Sequence, residues 1–361
     1  MWLTEASLLL ITAFLIIPKG VIHFHLNYFR TEKLPRNEDR FRKTYAGYKS
    51  VIEQKIQSLL VQHDPASVYE PMRYVLRSGG KRLRGVLTLL ACQAVGGPAR
   101  RALDAAVAME LLHNFTLVHD DVMDHANLRR NRPTVHKKWN ENVAILSGDQ
   151  LVAYAYRSLL SSPVPDPSPV LRAFTNAFID VCDGQGLDME FGLRKDVSLA
   201  EYLGMIEKKT ARVISASLVI GAHLGGGSAQ FVRALRTFGI RLGYAFQIQD
   251  DLLDFTGDQK ELGKSIGSDI VEGKKTFLLL HAIERARGDD RRMLESLSPR
   301  NGALRLQAVR AIYRRLDVTT GASRAIAAHT RKALQALRPL PANRGTQMLS
   351  WVAGQLVERT S

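Results

Sequence analysis

The chain has 361 residues, a 45% hydrophobic fraction and only two cysteines, Cys92 and Cys182, far apart in sequence. That apolar content excludes a disordered chain, and the isolated cysteines exclude a disulfide framework and fit a reducing cytoplasm. The formal net charge of +15 calls for anionic partners, among which nucleic acid, anionic lipid and diphosphates all qualify.

The stretch from Ala6 to Ile17 is almost wholly apolar and is ended by Pro18, Lys19 and Gly20. It is short for a membrane span, and it lacks the positive flank of a signal peptide. Three readings stay open: an anchor making peripheral membrane contact through residues 1–24, a helix docked on the body, or a mis-called start codon. Residues 31–45, TEKLPRNEDRFRKTY, are strongly charged and read as a linker or as the solvated start of the body. Residues 1–44 therefore form an extension and 45–361 the expected domain.

From Tyr45 onward, apolar residues recur at helical spacing, as in Val107, Leu111, Phe115 and Val118, and strand-like alternation is scarce. Breakers fall at Gly96-Gly97-Pro98, at 161–167 (SSPVPDP) and at Gly225-Gly226-Gly227. No loop is long enough to separate two domains. The expected fold is all-α: a single large helical bundle with a central active-site cavity.

Two segments match each other, Asp120-Asp121-Val122-Met123-Asp124 and Asp250-Asp251-Leu252-Leu253-Asp254, each after an apolar helical pattern. At ~100° per residue, Asp120 and Asp124 share a face, as do Asp250 and Asp254. Carboxylates crowded at a helix C-terminus repel one another and oppose the dipole, a penalty that bound Mg²⁺ removes. Cations flank both motifs. Gly79-Gly80-Lys81-Arg82-Leu83-Arg84 sets three behind a glycine pair, and Arg129-Arg130 follows the first motif. Lys208-Lys209-Thr210 opens another apolar helix, and Lys264 and Lys274-Lys275-Thr276 follow the second motif. Carboxylate motifs with repeated cation clusters suit two diphosphates, one held through metal and one by arginine and lysine alone. His113 lies on the stripe of Asp120 and Asp124, and Gly243 and Gln247 on that of Asp250 and Asp254.

These residues resemble the trans-prenyl diphosphate synthases, a family that includes farnesyl and geranylgeranyl diphosphate synthases. The motifs run in order: GGKRLR at 79–84, ELLH at 110–113, DDVMD at 120–124 and LRRNRPTVH at 128–136. KKTA at 208–211, FQIQDDLLD at 246–254 and GKSIGSDIVEGKKT at 263–276 complete the set. The resemblance implies an isoprenoid synthase-like bundle that condenses isopentenyl diphosphate with an allylic diphosphate, and it alone leads to the expectation of a homodimer. It implies that Asp120 and Asp124 carry two Mg²⁺ ions and Asp250 a third. Lys81, Arg84, His113 and Arg130 would hold isopentenyl diphosphate. Arg129, Lys209, Thr210, Gln247, Lys264 and Lys274 would hold the allylic diphosphate or its released pyrophosphate. Two departures stand out: Gly85 where the family commonly has proline, which is expected to loosen its helix start, and Asn131 where it has glycine. Asparagine tolerates left-handed backbone better than most residues.

Phe115 and Thr116 lie about 6–8 Å below Asp120 at 1.5 Å per residue, where a short product chain would end. In the resembling enzymes an aromatic residue at the position of Phe115 acts as a floor, which favours geranylgeranyl and then farnesyl diphosphate over longer products. On an ideal helix Thr116 faces the aspartates better than Phe115 does. Three competing readings fit less well. A terpene cyclase would need neither GGKRLR nor a second DDxxD. A non-catalytic subunit of a heteromeric synthase could lose one aspartate motif, and both are whole. A nucleic-acid binder would carry a reader motif, and none is recognisable.

Overall fold

The computed structural model describes residues 34–59, 64–257, 267–298 and 300–357. The apolar stretch Ala6 to Ile17 and Lys264 lie outside the described residues. The chain divides into two units, Met1–Thr44 and Tyr45–Ser361. The described part of the first is helical from Leu34, so the charged stretch is helix there rather than an open linker.

Helices α1 (Leu34–Leu59), α2 (Ala66–Arg77), α3 (Leu83–Ala94) and α4 (Leu103–Met123) lead to a small antiparallel hairpin, β1 (Leu128–Arg129) and β2 (Arg132–Pro133). Next come α5 (Val135–Lys138), α6 (Glu141–Leu160), α7 (Ser168–Leu193) and α8 (Leu199–Ile206). A π-helical turn, Glu207–Ala211, joins α8 to α9 (Arg212–Leu224), and α10 (Ala229–Thr256) follows. The described C-terminal elements are α11 (Ser268–Val271), α12 (Phe277–Arg285), α13 (Gly288–Glu295), α14 (Gly302–Arg315), α15 (Val318–Ala336) and α16 (Arg344–Val357).

Local chemistry sets these boundaries. Ser198 and Glu201 form a reciprocal capping box at the start of α8, and the Ser228 and Thr276 hydroxyls cap α10 and α12. The three breaker stretches read from the sequence all fall between helices. In α4, Ala105 to Leu112 are buried on every side, and α9 is buried almost throughout. Helices that are apolar all round belong in the core. α3 packs between α4 and α9, α6 lies along α4, and α10 rests on α9 and α15. Both aspartate motifs thus sit at the C-terminal ends of helices that contact α9. Val107, Leu111, Phe115 and Val118 are all at most 8% exposed, as their stripe requires.

Candidate active site

At the end of α4 the three aspartates separate by environment. Asp121 is 5% exposed and accepts two bonds from Arg129, from Nε at 2.9 Å and Nη2 at 2.6 Å. Among the described residues, neither the Asp120 nor the Asp124 carboxylate has a hydrogen bond or ion pair. Burial pushes Asp120 up to about 6; Lys209 and Arg129 oppose this, while Asp124 and Asp121 add to it. Crowded carboxylates at a helix C-terminus, with no internal partner, are a donor set suited to a hard dication. No three His, Cys, Asp or Glu side chains among the described residues form an all-protein cage.

The second motif divides differently. Asp250 is exposed, while Asp251 is buried and serves as a hub. Tyr202 Oη donates to it at 2.5 Å, the Phe277 amide at 2.9 Å and Gln247 Nε2 at 3.2 Å. Burial pushes its carboxyl up to about 7 against these bonds. Asp254 accepts from Ser268 Oγ at 2.6 Å and from the Asp269 amide at 3.1 Å, so it caps α11.

Lys209 and Thr210 do not simply open a helix, as the sequence suggested; they lie in the π-helical turn. A π-turn adds one residue to the helical repeat and is common at functional sites. It is clamped from both sides. A Cβ on Gly184 of α7 would collide with the Lys209 backbone, and one on Gly243 of α10 with Ala211. Only glycine permits such approach. Lys209 Nζ bonds Asp188 at 2.5 Å, and Lys208 Nζ bonds Asp183 at 2.7 Å. Thr210 Oγ1 donates to Gln247 Oε1 at 2.9 Å, so Gln247 bridges the π-turn to Asp251. Burial works against the charge of Lys274, yet Glu272 at 2.8 Å, Asp269 and Asp124 together raise it above the usual lysine range. The field of the first motif therefore reaches a cation that follows the second.

A separate basic cluster lies at the start of α3. His113 is held well below its ordinary value by burial and by Arg84, Arg130, Arg129 and Arg82. Arg130 turns back on Gly79-Gly80: its guanidinium bonds Ser78 Oγ at 3.2 Å and the Gly79 carbonyl. Lys81 is exposed, and its carbonyl accepts from Tyr45 Oη at 2.7 Å. Asn131 has φ +59 and completes the hairpin turn with Arg130. Arg82 points inward, away from this face; its Nη2 donates to the Leu76 carbonyl at 2.6 Å. At Gly85, where a looser helix start was expected, the amide donates to Glu110 Oε1 at 2.9 Å.

Phe115 is 8% exposed, with its ring edge-on to His119 at 4.6 Å and to Phe178 of α7 at 5.3 Å. The Thr116 hydroxyl bonds back to the His113 carbonyl at 2.9 Å. A cavity of about 420 Å³ between α7 and α9, lined in part by Arg172, Arg212, His223 and Arg236, shares no lining residue with the aspartate motifs. The sequence reading missed Asp183 and Asp188, which lie five residues apart on a helix that also carries Arg172, Asn176 and Gln185 and so stand out in no spacing pattern. It also missed Tyr202, whose link to Asp251 left no local trace.

An all-helical body with two aspartate-ended helices beside separate cation clusters defines a diphosphate-handling helical synthase. Residues 65–316 match the polyprenyl synthetase family, and the chain belongs to it. It is 37% identical to a short chain isoprenyl diphosphate synthase of Methanothermobacter thermautotrophicus, across 86% of this chain and 96% of that one. It is 36% identical to a geranylfarnesyl diphosphate synthase of Natronomonas pharaonis, across 89% and 98%. The crystal structure of geranylgeranyl pyrophosphate synthetase from Pyrococcus horikoshii superimposes with a TM-score of 0.85 at 35% identity, over 90% of this chain and 100% of that one.

Proposed function

We propose that this enzyme condenses isopentenyl diphosphate head-to-tail with an allylic diphosphate, in a Mg²⁺-dependent reaction that yields a short linear trans-prenyl diphosphate. The observation that carries the reading is the division of charge: open carboxylates with Lys209 and Lys274 on one side, and Arg84, His113 and Arg130 without carboxylate motifs on the other. Asp120, Asp124 and Asp250 are the residues to hold magnesium. When bound, the ions neutralise charge gathering on the departing pyrophosphate, which favours breaking the allylic carbon–oxygen bond. Lys209, Lys274 and Arg129 add fixed positive charge there, and Thr210 and Gln247 brace the π-turn that presents Lys209. Lys81, Arg84, His113 and Arg130 orient the isopentenyl group so that its double bond faces the allylic carbon. The proton lost after bond formation goes to the released pyrophosphate, since no protein base stands out.

The test is product analysis by mass spectrometry, offering each allylic diphosphate with isopentenyl diphosphate and Mg²⁺. Linear products in the geranylgeranyl or farnesyl range support the reading, and hydrolysis or cyclisation alone would sink it. For chain length, the buried Phe115 ring against Phe178 supports a floor. Phe115→Ala should lengthen the product by an isoprene unit or more; an unchanged product at lower stability makes Phe115 core packing only.

Homodimerisation is supported by an uncovered stripe on α7. Ile179, Cys182, Gly186, Met189 and Leu193 recur at three- and four-residue intervals and are all exposed, with Ile145 and Leu146 of α6 also exposed. Apolar stripes of this kind are covered in a working protein. Light scattering should give twice the chain mass, and Met189→Glu should shift it toward monomer.

A further inference from the structure

The three cations of GGKRLR sit at or beside the N-terminus of α3, where the helix dipole disfavours positive charge. The first turn of α3 contains no acidic residue, and its N-cap, Arg82, lies in the left-handed region at φ +51 with no side-chain cap. A helix start of this kind needs its free amides and its charge balanced from elsewhere. Both come from Glu110 of α4, which is 2% exposed. One oxygen, Oε1, accepts the Gly85 amide at 2.9 Å; the other, Oε2, lies 3.8 Å from Arg82 Nη1. The carboxylate of Glu53 on α1 lies 3.5 Å from Arg82 Nε on the other side. Arg82 is therefore pinned between α1, α2 and α4 and is turned away from the face that holds Lys81 and Arg84.

Glu110 reaches further than Arg82. Burial pulls Arg84 below its usual range while Glu110 acts the other way, and the same carboxylate supports the charge of Arg130. Glu110 is one turn before His113 on the same helix, so it ties the GGKRLR turn to α4 at the point where His113 joins the cluster. Gly85 has a specific part in this. A proline there would lack the amide that Glu110 accepts, and even a bare Cβ would meet Glu110 Cγ and the Ala106 carbonyl at 3.0 Å and Ile52 Cδ1 at 2.9 Å.

The geometry points to Glu110 as a positioning residue for isopentenyl diphosphate: fixed by the Gly85 amide, its carboxylate caps α3 and holds Arg82 and Arg84 in register with His113 and Arg130. This rests on the reading of that cluster as the isopentenyl diphosphate site. Loss of this charge should read as roughly a 10- to 100-fold effect. Glu110→Gln keeps the size and the acceptor for Gly85 but removes the charge. Its KM for isopentenyl diphosphate should rise by about that factor, with the allylic KM and kcat within about threefold of the parent enzyme. Glu110→Asp, which keeps the charge, should recover part of the loss. Gly85→Ala leaves the carboxylate charged but crowds it, and should move the same KM in the same direction by less. It serves in place of Glu110→Gln if that variant does not fold.

An unchanged KM for isopentenyl diphosphate in a folded variant, or equal losses for both substrates, overturns the assignment. Failure of the underlying reading looks different: the parent enzyme itself would then show no saturable use of isopentenyl diphosphate.

Discussion

The two aspartate motifs are nearly the same in sequence, DDVMD and DDLLD, yet the fold uses them differently. In both, the middle aspartate is buried and structural: Asp121 binds Arg129, and Asp251 gathers Tyr202, Gln247 and the Phe277 amide. The last aspartates diverge. Asp124 is exposed and its carboxylate has no hydrogen bond among the described residues, whereas Asp254 caps α11 through Ser268 and Asp269. In the first motif, therefore, the Asp120 and Asp124 carboxylates have no hydrogen bond among the described residues, whereas in the second the last aspartate is engaged. The lesson is that a repeated motif does not supply repeated ligands; each carboxylate is assigned by whatever the rest of the chain brings to it.

The sharpest way to break this asymmetry is to remove an open carboxylate. Asp120→Ala or Asp124→Ala should lower kcat by about 10²–10³-fold or more, because charge on the leaving group loses its stabilisation. Melting by circular dichroism should barely change, and excess chelator should silence the parent enzyme. Near-normal turnover in either variant, or in chelator, ends the metal assignment.

Asp251→Ala should behave in the opposite way. It leaves the Phe277 amide and the Tyr202 hydroxyl buried without a partner, which should cost about 2–4 kcal/mol in denaturant unfolding. If stability holds while turnover collapses as for Asp120→Ala, the division between structural and ligand aspartates is wrong. Asp121→Asn should have an intermediate effect. It weakens the hold on Arg129, so the allylic KM should rise by about tenfold with a small loss of stability. A shift confined to the isopentenyl diphosphate KM would move Arg129 to the other site.

Asp254→Ala should have the smallest effect, about 1 kcal/mol, typical of a lost helix cap. Hydrogen exchange should localise the change to residues 267–271. A large loss of activity without that local opening would mean Asp254 acts as a ligand after all.

The sequence by itself determined the helical class, the breaker positions and the pairing of Asp120 with Asp124 on one face. Each of these follows from spacing along a single helix, where 3.6 residues make a turn and neighbours are fixed by local geometry. It also singled out Lys209, Thr210, Gln247, Arg84, His113 and Arg130 as candidates, because they sit in motifs dense with charge. Only the tertiary structure decided which carboxylates are engaged, because apart from Gln247 the groups that bond Asp251 and Asp254 lie 14 to 49 residues away. It alone showed that Arg82 faces inward, that Glu110 rather than a local side chain caps α3, and that Lys209 rides on a π-turn. That turn is held by Gly184 and Gly243, from helices on either side of it in the chain. Hydrogen-bond partners and close backbone approaches are set by packing between distant segments, and periodicity along one segment carries no record of them.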